Sequence, residues 1–457
     1  MVKLMAIKTK AIFLIHIVFP LLCSSHAWSQ HPSKVDELIR AYGGSAFMGS
    51  VLIANGDDIT FDKGYGFANV EWQQVNTSTT KFRIASITKQ FTAAAVLLLA
   101  ERKQLSLQDS ITTHLPNAPA TWHAVTIQHL LNHSSGIADD IFDREDKNPF
   151  EPFVSLQAIA KLDEPELRFK PGQQFSYSNA GYIILGALIE KISNKTYAQF
   201  LADNIFGPLA MHDSGFENSN DIISKRAAGY VEMVGGKSGL QHADYINMTY
   251  PHGAGSLYST ARDLLQWSRG LFGAKLLANS SITQLTTPIV ENYGMGMMIN
   301  TVFEQTKYWH NGGINGFSTH LAYYPKADIT LVVLNNVETA PTARIVRGIE
   351  RLLFDRHNTM ILPSERTNIT IAQNDLNRYA GEYQFVPNIT MSIIRNNDHL
   401  LLQTPGQPPL ALYPTSASVF YATTSDVEVT FMNDLDDKPN KIKLVQWGQV
   451  LRATRLR

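Results

Sequence analysis

The segment 83–99, RIASITKQFTAAAVLLL, constrains this chain more than any other, because it predicts a helix that begins at a reactive pair. Alanine and leucine are strong helix formers, and serine is favoured at a helix N-terminus, where its side chain accepts from an unpaired backbone N–H. Ser86 and Lys89 are three residues apart and therefore lie on the same helix face. The spacing predicts a lysine amine one turn from a serine hydroxyl.

This pair has the chemistry of an activated serine nucleophile. A helix N-terminus and a dry environment both disfavour a charged ammonium. We therefore expect the pKa of Lys89 to lie below its ordinary value of ~10.4, so that the amine is neutral near pH 7. A neutral amine beside a serine activates a weak nucleophile. The S-x-x-K pattern also arises by chance, because Ser78 and Lys81 repeat it in a polar segment with no helix behind it. We interpret that copy as a loop.

Length and composition predict a folded protein with more than one domain. The chain has 457 residues, of which 44% are hydrophobic, so it can form a full core. The net charge is −1 and only 17% of the residues are charged. This balance gives no indication of a nucleic-acid partner or of a surface that binds polyanions.

The first 27 residues have the pattern of a signal peptide. Three early lysines precede an apolar run at residues 11–23, and Ser25-His26-Ala27 fits a small-x-small cleavage site. The run is shorter than the ~20 residues that a helix needs to cross a bilayer. We therefore predict a secreted or periplasmic protein, cleaved near Ala27, without a membrane span. The alternative is a lipoprotein anchor at Cys23, although Leu22 stands where such signals have a small residue.

Cysteine and histidine usage gives no support for a metal site or a cofactor. Cys23 is the only cysteine, so the mature chain would have no disulfide, thiol nucleophile or cysteine ligand. His123, His129 and His133 are close in sequence, but no carboxylate at a ligand-like spacing accompanies them. We predict neither a metal nor a cofactor.

The pattern along residues 28–355 predicts one α+β domain. Residues 33–42 fit a short amphipathic helix, and residues 47–67 fit a β-hairpin with an Asn-Gly turn at 55–56. A second hairpin is predicted over residues 316–334, and a closing helix over 342–355. The predicted fold is an antiparallel sheet flanked by helices, with a separate all-helical region inserted between the two hairpins.

The last part of the chain has a different pattern. Residues 356–373 are polar and fit a linker, whereas short strands separated by turns follow from Tyr379 onward. Such strands predict a small C-terminal β-barrel or sandwich over residues 374–457. No catalytic constellation is visible there, so we expect a structural or substrate-restricting appendage.

Two further motifs carry polar groups suited to catalysis. Tyr177 and Asn179 are two apart, so in an extended loop they point the same way, and a phenol and an amide suit proton transfer and substrate binding. Residues 310–313, His-Asn-Gly-Gly, begin the second sheet signal. Residues 245–247 repeat the first motif without a following helix, and Lys-Ser-Gly at 237–239 competes with the second, but no strand follows it.

A glycine-rich loop at residues 252–263 leads into a helix that Thr260 is expected to cap. It lacks the lysine of a phosphate-binding loop, so nucleotide binding is not indicated.

Ser86-x-x-Lys89, Tyr177-x-Asn179 and His310-x-Gly312 occur in this order. Together they resemble the motifs of the serine β-lactamase-like and penicillin-binding protein family, nearest its class C β-lactamase and D-alanyl-D-alanine carboxypeptidase branch. The resemblance covers roughly residues 33–355, and segments 130–137 and 259–263 also look like signatures of this family.

The resemblance implies a role for each residue of these motifs. Ser86 would be the acylated nucleophile, Lys89 and Tyr177 would share the proton transfers, and Asn179 would bind the substrate. His310, Gly312 and Gly313 would lie along the substrate, and the backbone N–H groups of Ser86 and Gly313 would form an oxyanion hole.

His310 stands where the family more often has lysine. Histidine has an ordinary pKa near 6.5 and is cationic only part of the time, so it holds a substrate carboxylate less firmly than lysine does. This weakens the case for a broad β-lactamase and fits the peptidases and esterases that the family contains.

The sequence therefore predicts a serine hydrolase that acts on amide or ester bonds of a small molecule or peptide through an acyl-enzyme. β-lactam, D-peptide and ester substrates stay open. The alternative is a catalytically silent binding module with the same fold.

Overall fold

The computed structural model describes residues 31–41, 47–142, 151–232, 239–355, 369–386, 389–404, 409–422, 427–432, 439–446 and 449–456. The predicted signal peptide with its cleavage site near Ala27, and Cys23, lie outside the described residues, as do Lys237, Ser238 and most of the predicted linker.

Helices and strands alternate along the described chain. The helices are α1 (His31–Ala41), α2 (Thr88–Glu101), α3 (Ile111–His114), α4 (Ile127–Leu131), α5 (Ser155–Ile159), α6 (Asn179–Ser193), α7 (Tyr197–Leu201), α8 (Ala261–Phe272), α9 (Asn279–Leu285), α10 (Thr342–Phe354) and α11 (Gln373–Leu376). Single 3₁₀ turns span Ala85–Ile87, Ala120–Trp122, Asp139–Phe142 and His252–Ala254, and a π turn spans Ala202–Phe206. The strands are β1 (Gly49–Asn55), β2 (Asp58–Tyr65), β3 (Phe67–Asn69), β4 (Gln74–Val75), β5 (Phe82–Arg83), β6 (Gly215–Phe216), β7 (Tyr230–Glu232), β8 (Leu240–His242), β9 (Leu257–Ser259), β10 (Met298–Val302), β11 (Gln305–Ile314), β12 (Phe317–Tyr324), β13 (Ile329–Asn335), β14 (Gly381–Val386), β15 (Ile389–Asn396), β16 (His399–Gln403), β17 (Leu410–Pro414), β18 (Val419–Ala422), β19 (Val427–Met432), β20 (Lys441–Gln446) and β21 (Gln449–Arg455).

The main sheet is antiparallel and has the order β10-β11-β12-β13-β1-β2. The predicted hairpin of β1 and β2 is confirmed, and Gly56 turns it with a φ of +52°, which glycine adopts without strain. β13 is buried along its whole length, because its two faces contribute to different cores. One face packs against the helical region, and the other packs against α1 and α10.

The helix predicted after Ser86 runs through the centre of the helical region. Every residue of α2 from Thr88 to Leu99 is buried, which explains why this helix is apolar on nearly all sides. Phe91 stacks on Trp267 of α8 with ring centroids 3.9 Å apart, and the indole of Trp267 donates to Gln90 at 2.9 Å. α2 is therefore held on all sides by the core.

The last eight strands, β14 to β21, form a closed antiparallel barrel in chain order. Its core is formed by residues between Leu376 and Ala453, and aromatic rings such as Tyr379, Phe420 and Phe431 fill it. The predicted α+β fold with a small C-terminal barrel is thus confirmed, and of the two predicted architectures for the last part the barrel is the one observed. None of the helices in the described parts of the chain has both the length and the apolar character needed to cross a bilayer.

Candidate active site

Ser86 lies in the 3₁₀ turn between β5 and α2. We expected its side chain to cap the helix, but α2 begins at Thr88 and neither the turn nor the helix has a side-chain cap. Ala85 before it has a φ of +47°, in the left-handed region that non-glycine residues rarely adopt. Because the turn moves the helix start two residues on, the half-buried Ser86 hydroxyl is not engaged in capping and faces Lys89 instead.

Lys89 is fully buried beneath Ser86. Its Nζ lies 3.1 Å from Ser86 Oγ, and it donates to Asn179 Oδ1 at 2.8 Å and to the Ala254 carbonyl at 2.9 Å. Burial lowers the pKa of Lys89 to about 7, and the negative charge of Asp139 acts in the opposite direction. The expectation of a neutral lysine near pH 7 therefore has a physical basis in the removal of its amine from water, which leaves about half of the molecules neutral at that pH.

Tyr177 covers the other side of the amine. The centre of its ring is 4.9 Å from Lys89 Nζ, and its hydroxyl is close enough to the side chain of Ser86 to interact with it. Burial raises the pKa of Tyr177 well above its ordinary value, so the phenol keeps its proton at neutral pH. The structure thus brings Ser86, Lys89, Tyr177 and Asn179 together, as the motifs predicted.

Asn179 is the first residue of α6, and Ser178 before it caps the helix by accepting from the backbone N–H of Gly181 at 3.1 Å. An extended Ser178 with a φ of −138° precedes the helix, so Tyr177 and Asn179 both reach the amine of Lys89. This is the local reason why a tyrosine and an asparagine two residues apart meet one lysine.

β11 passes directly beside the turn that carries Ser86. A Cβ atom on Gly312 would lie 2.3 Å from the carbonyl oxygen of Ile84, so only glycine allows this close approach. A Cβ on Gly313 would meet no atom within 4 Å. β10 pairs with β11 only as far as Trp309, so the outer edge of residues 310–314 has no partner strand in the described part of the chain.

His310 is buried, with 1% of its surface exposed, and lies beneath Tyr177 with ring centroids 6.1 Å apart. Its Nδ1 is 2.6 Å from the carbonyl oxygen of Asn311, which can only accept, so Nδ1 carries the proton. Its Nε2, 3.1 Å from the hydroxyl of Tyr293, is then the acceptor of that hydroxyl's proton. Burial lowers the pKa of His310 to about 3, so the ring is neutral at physiological pH.

The competing motifs lie in different surroundings. Ser78 is in a turn, and Lys81 pairs with Asp213 at 3.1 Å rather than with a serine. Tyr245 is 54% exposed in a loop. Of the third competing motif, Lys237-Ser238-Gly239, only Gly239 lies among the described residues.

The three histidines considered as metal ligands have separate environments. His129 accepts from the backbone N–H of Thr126 at 3.2 Å, His123 lies beside the carbonyl of Ala120, and His133 packs on the ring of Tyr177. Among the described residues no group of three or more potential ligands is arranged for a metal ion.

Three contributors to the site were not identified from the sequence. They are Asp139, which contacts Asn179, Tyr293, which contacts His310, and the backbone carbonyl of Ala254. Asp139 and Ala254 are 40 and 165 residues away in sequence from the groups that they contact. No local pattern marks such distant pairs, although Asp139 comes two residues after the 130–137 segment that resembles a family signature.

Comparison with known proteins places the chain among relatives of similar architecture. A family model described as "Beta-lactamase" matches residues 35–355. Penicillin-binding protein 4* of Bacillus subtilis (strain 168) is 29% identical over 407 residues, which cover 84% of this chain and 90% of that protein. The octameric penicillin-binding protein homologue from Pyrococcus abyssi is 25% identical, with a TM-score of 0.63 over 93% of this chain and 99% of that one. The D-amino acid amidase from Ochrobactrum anthropi SV3 shares the fold at 21% identity, with a TM-score of 0.61 over 70% of this chain and 97% of that one.

Proposed function

This chain belongs to the beta-lactamase family, and from that premise we propose that it is a serine hydrolase that forms a covalent acyl-enzyme on Ser86. The substrate is a small amide or ester. The observation that carries the proposal is the hydrogen bonding of Lys89, because it determines where the lone pair of the neutral amine points.

A neutral lysine amine has two N–H bonds and one lone pair. Asn179 Oδ1 and the Ala254 carbonyl oxygen can only accept, so they take the two N–H bonds, at 2.8 Å and 2.9 Å. The third close neighbour is Ser86 Oγ at 3.1 Å, and the lone pair is left to face it. Lys89 is therefore oriented as the general base that removes the proton of Ser86.

The reaction follows from these contacts. Ser86 Oγ attacks the carbonyl carbon of the substrate as its proton passes to Lys89 Nζ, and the resulting ammonium forms in a buried site. Tyr177 keeps its own proton at neutral pH and lies beside Ser86 and Lys89, so it can donate to the leaving nitrogen or oxygen and recover a proton from Lys89. Water then attacks the acyl-enzyme by the reverse sequence of proton transfers.

The developing oxyanion is assigned to the backbone N–H groups of Ser86 and Gly313. β11 lies against the Ser86 turn at Gly312, its edge at residues 310–314 has no partner strand among the described residues, and a Cβ on Gly313 would meet no atom within 4 Å. Loss of one such donor typically slows a hydrolase by about 10²–10³-fold.

The state of His310 favours substrates without a free carboxylate near the scissile bond. Both of its ring nitrogens are engaged within the protein and the ring is neutral, so it does not provide the cation that lysine would provide at this position. We therefore propose neutral amides and esters as substrates. The shared fold with a D-amino acid amidase fits this choice.

We also propose that the protein acts outside the cytoplasm, because residues 1–27 have the three-part pattern of a signal peptide. N-terminal sequencing of protein from the medium or periplasm of an expressing cell tests this. A mature chain that begins next to Ala27 supports it, and a retained Met1 contradicts it.

The hydrolase proposal is tested with p-nitrophenyl acetate under pre-steady-state conditions. An acyl-enzyme predicts a burst of about one p-nitrophenol per protein molecule, which disappears in Ser86→Ala and persists in Ser78→Ala, the matched serine of the competing motif. A comparison of D-alanine amides with D-alanyl-D-alanine peptides then sorts the substrates, and the amides are expected to turn over faster. A burst that survives in Ser86→Ala refutes the assignment of the nucleophile.

A further inference from the structure

Asp139 forms the first residue of the 3₁₀ turn Asp139–Phe142, and its exposed carboxylate lies against the start of α6. One oxygen, Oδ1, accepts from the backbone N–H groups of Asn179 and of Ala180, the latter at 3.0 Å. The other oxygen, Oδ2, accepts from the side-chain amide of Asn179 at 3.3 Å. The carboxylate thus holds both the backbone and the side chain of a residue that contacts Lys89.

The contact with the side chain fixes which way round the Asn179 amide lies. A carboxylate has no proton to donate, so the NH₂ group of Asn179 has to face Asp139 and the amide oxygen has to face Lys89. In the reverse orientation the amide would present N–H bonds to the amine of Lys89. The lone pair of Lys89 would then be drawn toward Asn179 and away from Ser86.

We propose that Asp139 is a positioning residue for the hydrolase reaction, which it serves by locking the Asn179 amide so that Lys89 keeps its lone pair for Ser86. This inference rests on the proposed function. Asp139 touches neither Ser86 nor Lys89 through a hydrogen bond that the described residues show, and it acts through Asn179.

The simpler role, that of a helix cap, accounts for only part of this arrangement. Ser178 already caps α6 through the backbone N–H of Gly181. A cap also needs only the backbone contacts of Asp139, whereas the contact with the side chain of Asn179 adds nothing to the helix. The two roles can therefore be separated by a variant that still accepts from the backbone of α6 but no longer requires the NH₂ group of Asn179 to face it.

Asp139→Asn is that variant. Its amide oxygen can still accept from the backbone N–H of Ala180, but its own NH₂ group would face the NH₂ group of Asn179 and favour reversal of the Asn179 amide. Asp140→Asn is the matched control, because Asp140 lies in the same turn, pairs with Arg168 at 2.8 Å and makes no described contact with Asn179.

The readout is the rate of labelling by a fluorophosphonate between pH 5 and 9, with thermal unfolding measured beside it. We expect Asp139→Asn to label at least about tenfold more slowly than the parent, and its pH midpoint to fall, because the negative charge that favours the ammonium form of Lys89 is gone. The other ionisable groups around this amine are unchanged in the variant; they are Tyr177, Tyr182, His133 and His310. Asp140→Asn is expected to match the parent in rate and midpoint.

Labelling of Asp139→Asn at the plateau rate of the parent overturns the proposal, whatever its midpoint, because loss of the charge alone lowers the midpoint. So does a slower rate that follows only the loss of folded protein, since this is the behaviour of a helix cap. If Asp139→Asn does not fold, Asp139→Ser retains a hydroxyl acceptor for the backbone and carries the same expectation.

A parent that is not labelled at any pH refutes the proposed function instead. The role of Asp139 is then decided without turnover, by NMR titration of Lys89 in protein carrying ¹³Cε-lysine. A lower midpoint in Asp139→Asn supports the control of the Lys89 amine by Asp139, and an unchanged midpoint overturns it.

Discussion

Lys89→Met tests the buried amine through protein stability, without any substrate. At its ordinary pKa a lysine is neutral in roughly one molecule in 3000 at pH 7, whereas a pKa of about 7 makes Lys89 neutral in about half of the molecules. Below pH 10 the unfolded chain therefore binds a proton that the folded chain increasingly lacks as the pH rises above 7. The free energy of unfolding contributed by this residue rises with pH across that window.

The size of the effect follows from the two pKa values. With about 7 in the folded state and ~10.4 in the unfolded state, Lys89 destabilises the fold by about 4 kcal/mol at pH 7 and by about 2 kcal/mol at pH 9. Methionine has no proton to lose. The difference in the free energy of unfolding between Lys89→Met and the parent is therefore expected to fall by about 2 kcal/mol from pH 7 to pH 9.

The assay is urea unfolding followed by tryptophan fluorescence, because Trp267 stacks on Phe91 of the helix that carries Lys89. Taking the difference between variant and parent cancels the titrating groups that do not interact with Lys89. Comparing that difference at two pH values then removes the constant loss of the three hydrogen-bond contacts at the amine. A difference that does not change with pH means that Lys89 keeps an ordinary pKa, and the reasoning on the base is then wrong.

Three further predictions concern the frame of the site. Gly312→Ala is expected to destabilise the fold by about 1–3 kcal/mol, because its Cβ would meet the Ile84 carbonyl. Gly313→Ala is expected to change stability by no more than about 0.5 kcal/mol, because its Cβ would meet no atom. It is also expected to slow acylation by less than the roughly 10²–10³-fold that loss of a whole oxyanion donor causes. Glu217→Gln is expected to lower the free energy of unfolding by about 3 kcal/mol, since this fully buried carboxylate pairs with Arg83 at 2.7 Å. A chain that ends after Asp355 is expected to retain the ester burst, because the described core of the barrel uses none of the residues proposed for catalysis.

Each of these has its own contradicting result. Equal thermal unfolding midpoints for Gly312→Ala and Gly313→Ala would show that β11 is not packed tightly against the Ser86 turn at Gly312. An unchanged urea midpoint in Glu217→Gln would show that the ion pair between Arg83 and Glu217 does not stabilise the fold. Failure of the shortened chain to fold would show that the barrel, proposed as a separate domain over residues 374–457, is part of the first core.

The elements that the sequence predicted well depend on local chemistry. Asn55-Gly56 predicted the first hairpin because the turn needs a positive φ, and Thr260 was identified as a cap because its hydroxyl reaches the backbone N–H of Asp263. The motif residues Ser86, Lys89, Tyr177 and Asn179 meet because each stands at a fixed offset from the start of a helix.

The properties that depend on distant residues could not be predicted. The capping role expected for Ser86 was wrong because the left-handed Ala85 adds a 3₁₀ turn before the helix, and nothing in an alanine signals such a conformation. The neutral state of His310 depends on its burial and on Tyr293, and the direction of the Lys89 lone pair depends on the Ala254 carbonyl. These contacts are set by packing between segments and not by any motif.

The central claim is tested most directly by mass spectrometry of protein treated with a fluorophosphonate. The account predicts a single adduct per chain, located by peptide mapping on Ser86, formed by the parent and by Ser78→Ala and absent from Ser86→Ala. Its rate should rise with pH with a midpoint near 7, the pKa of Lys89. An adduct on another residue, or one that persists in Ser86→Ala, would contradict it.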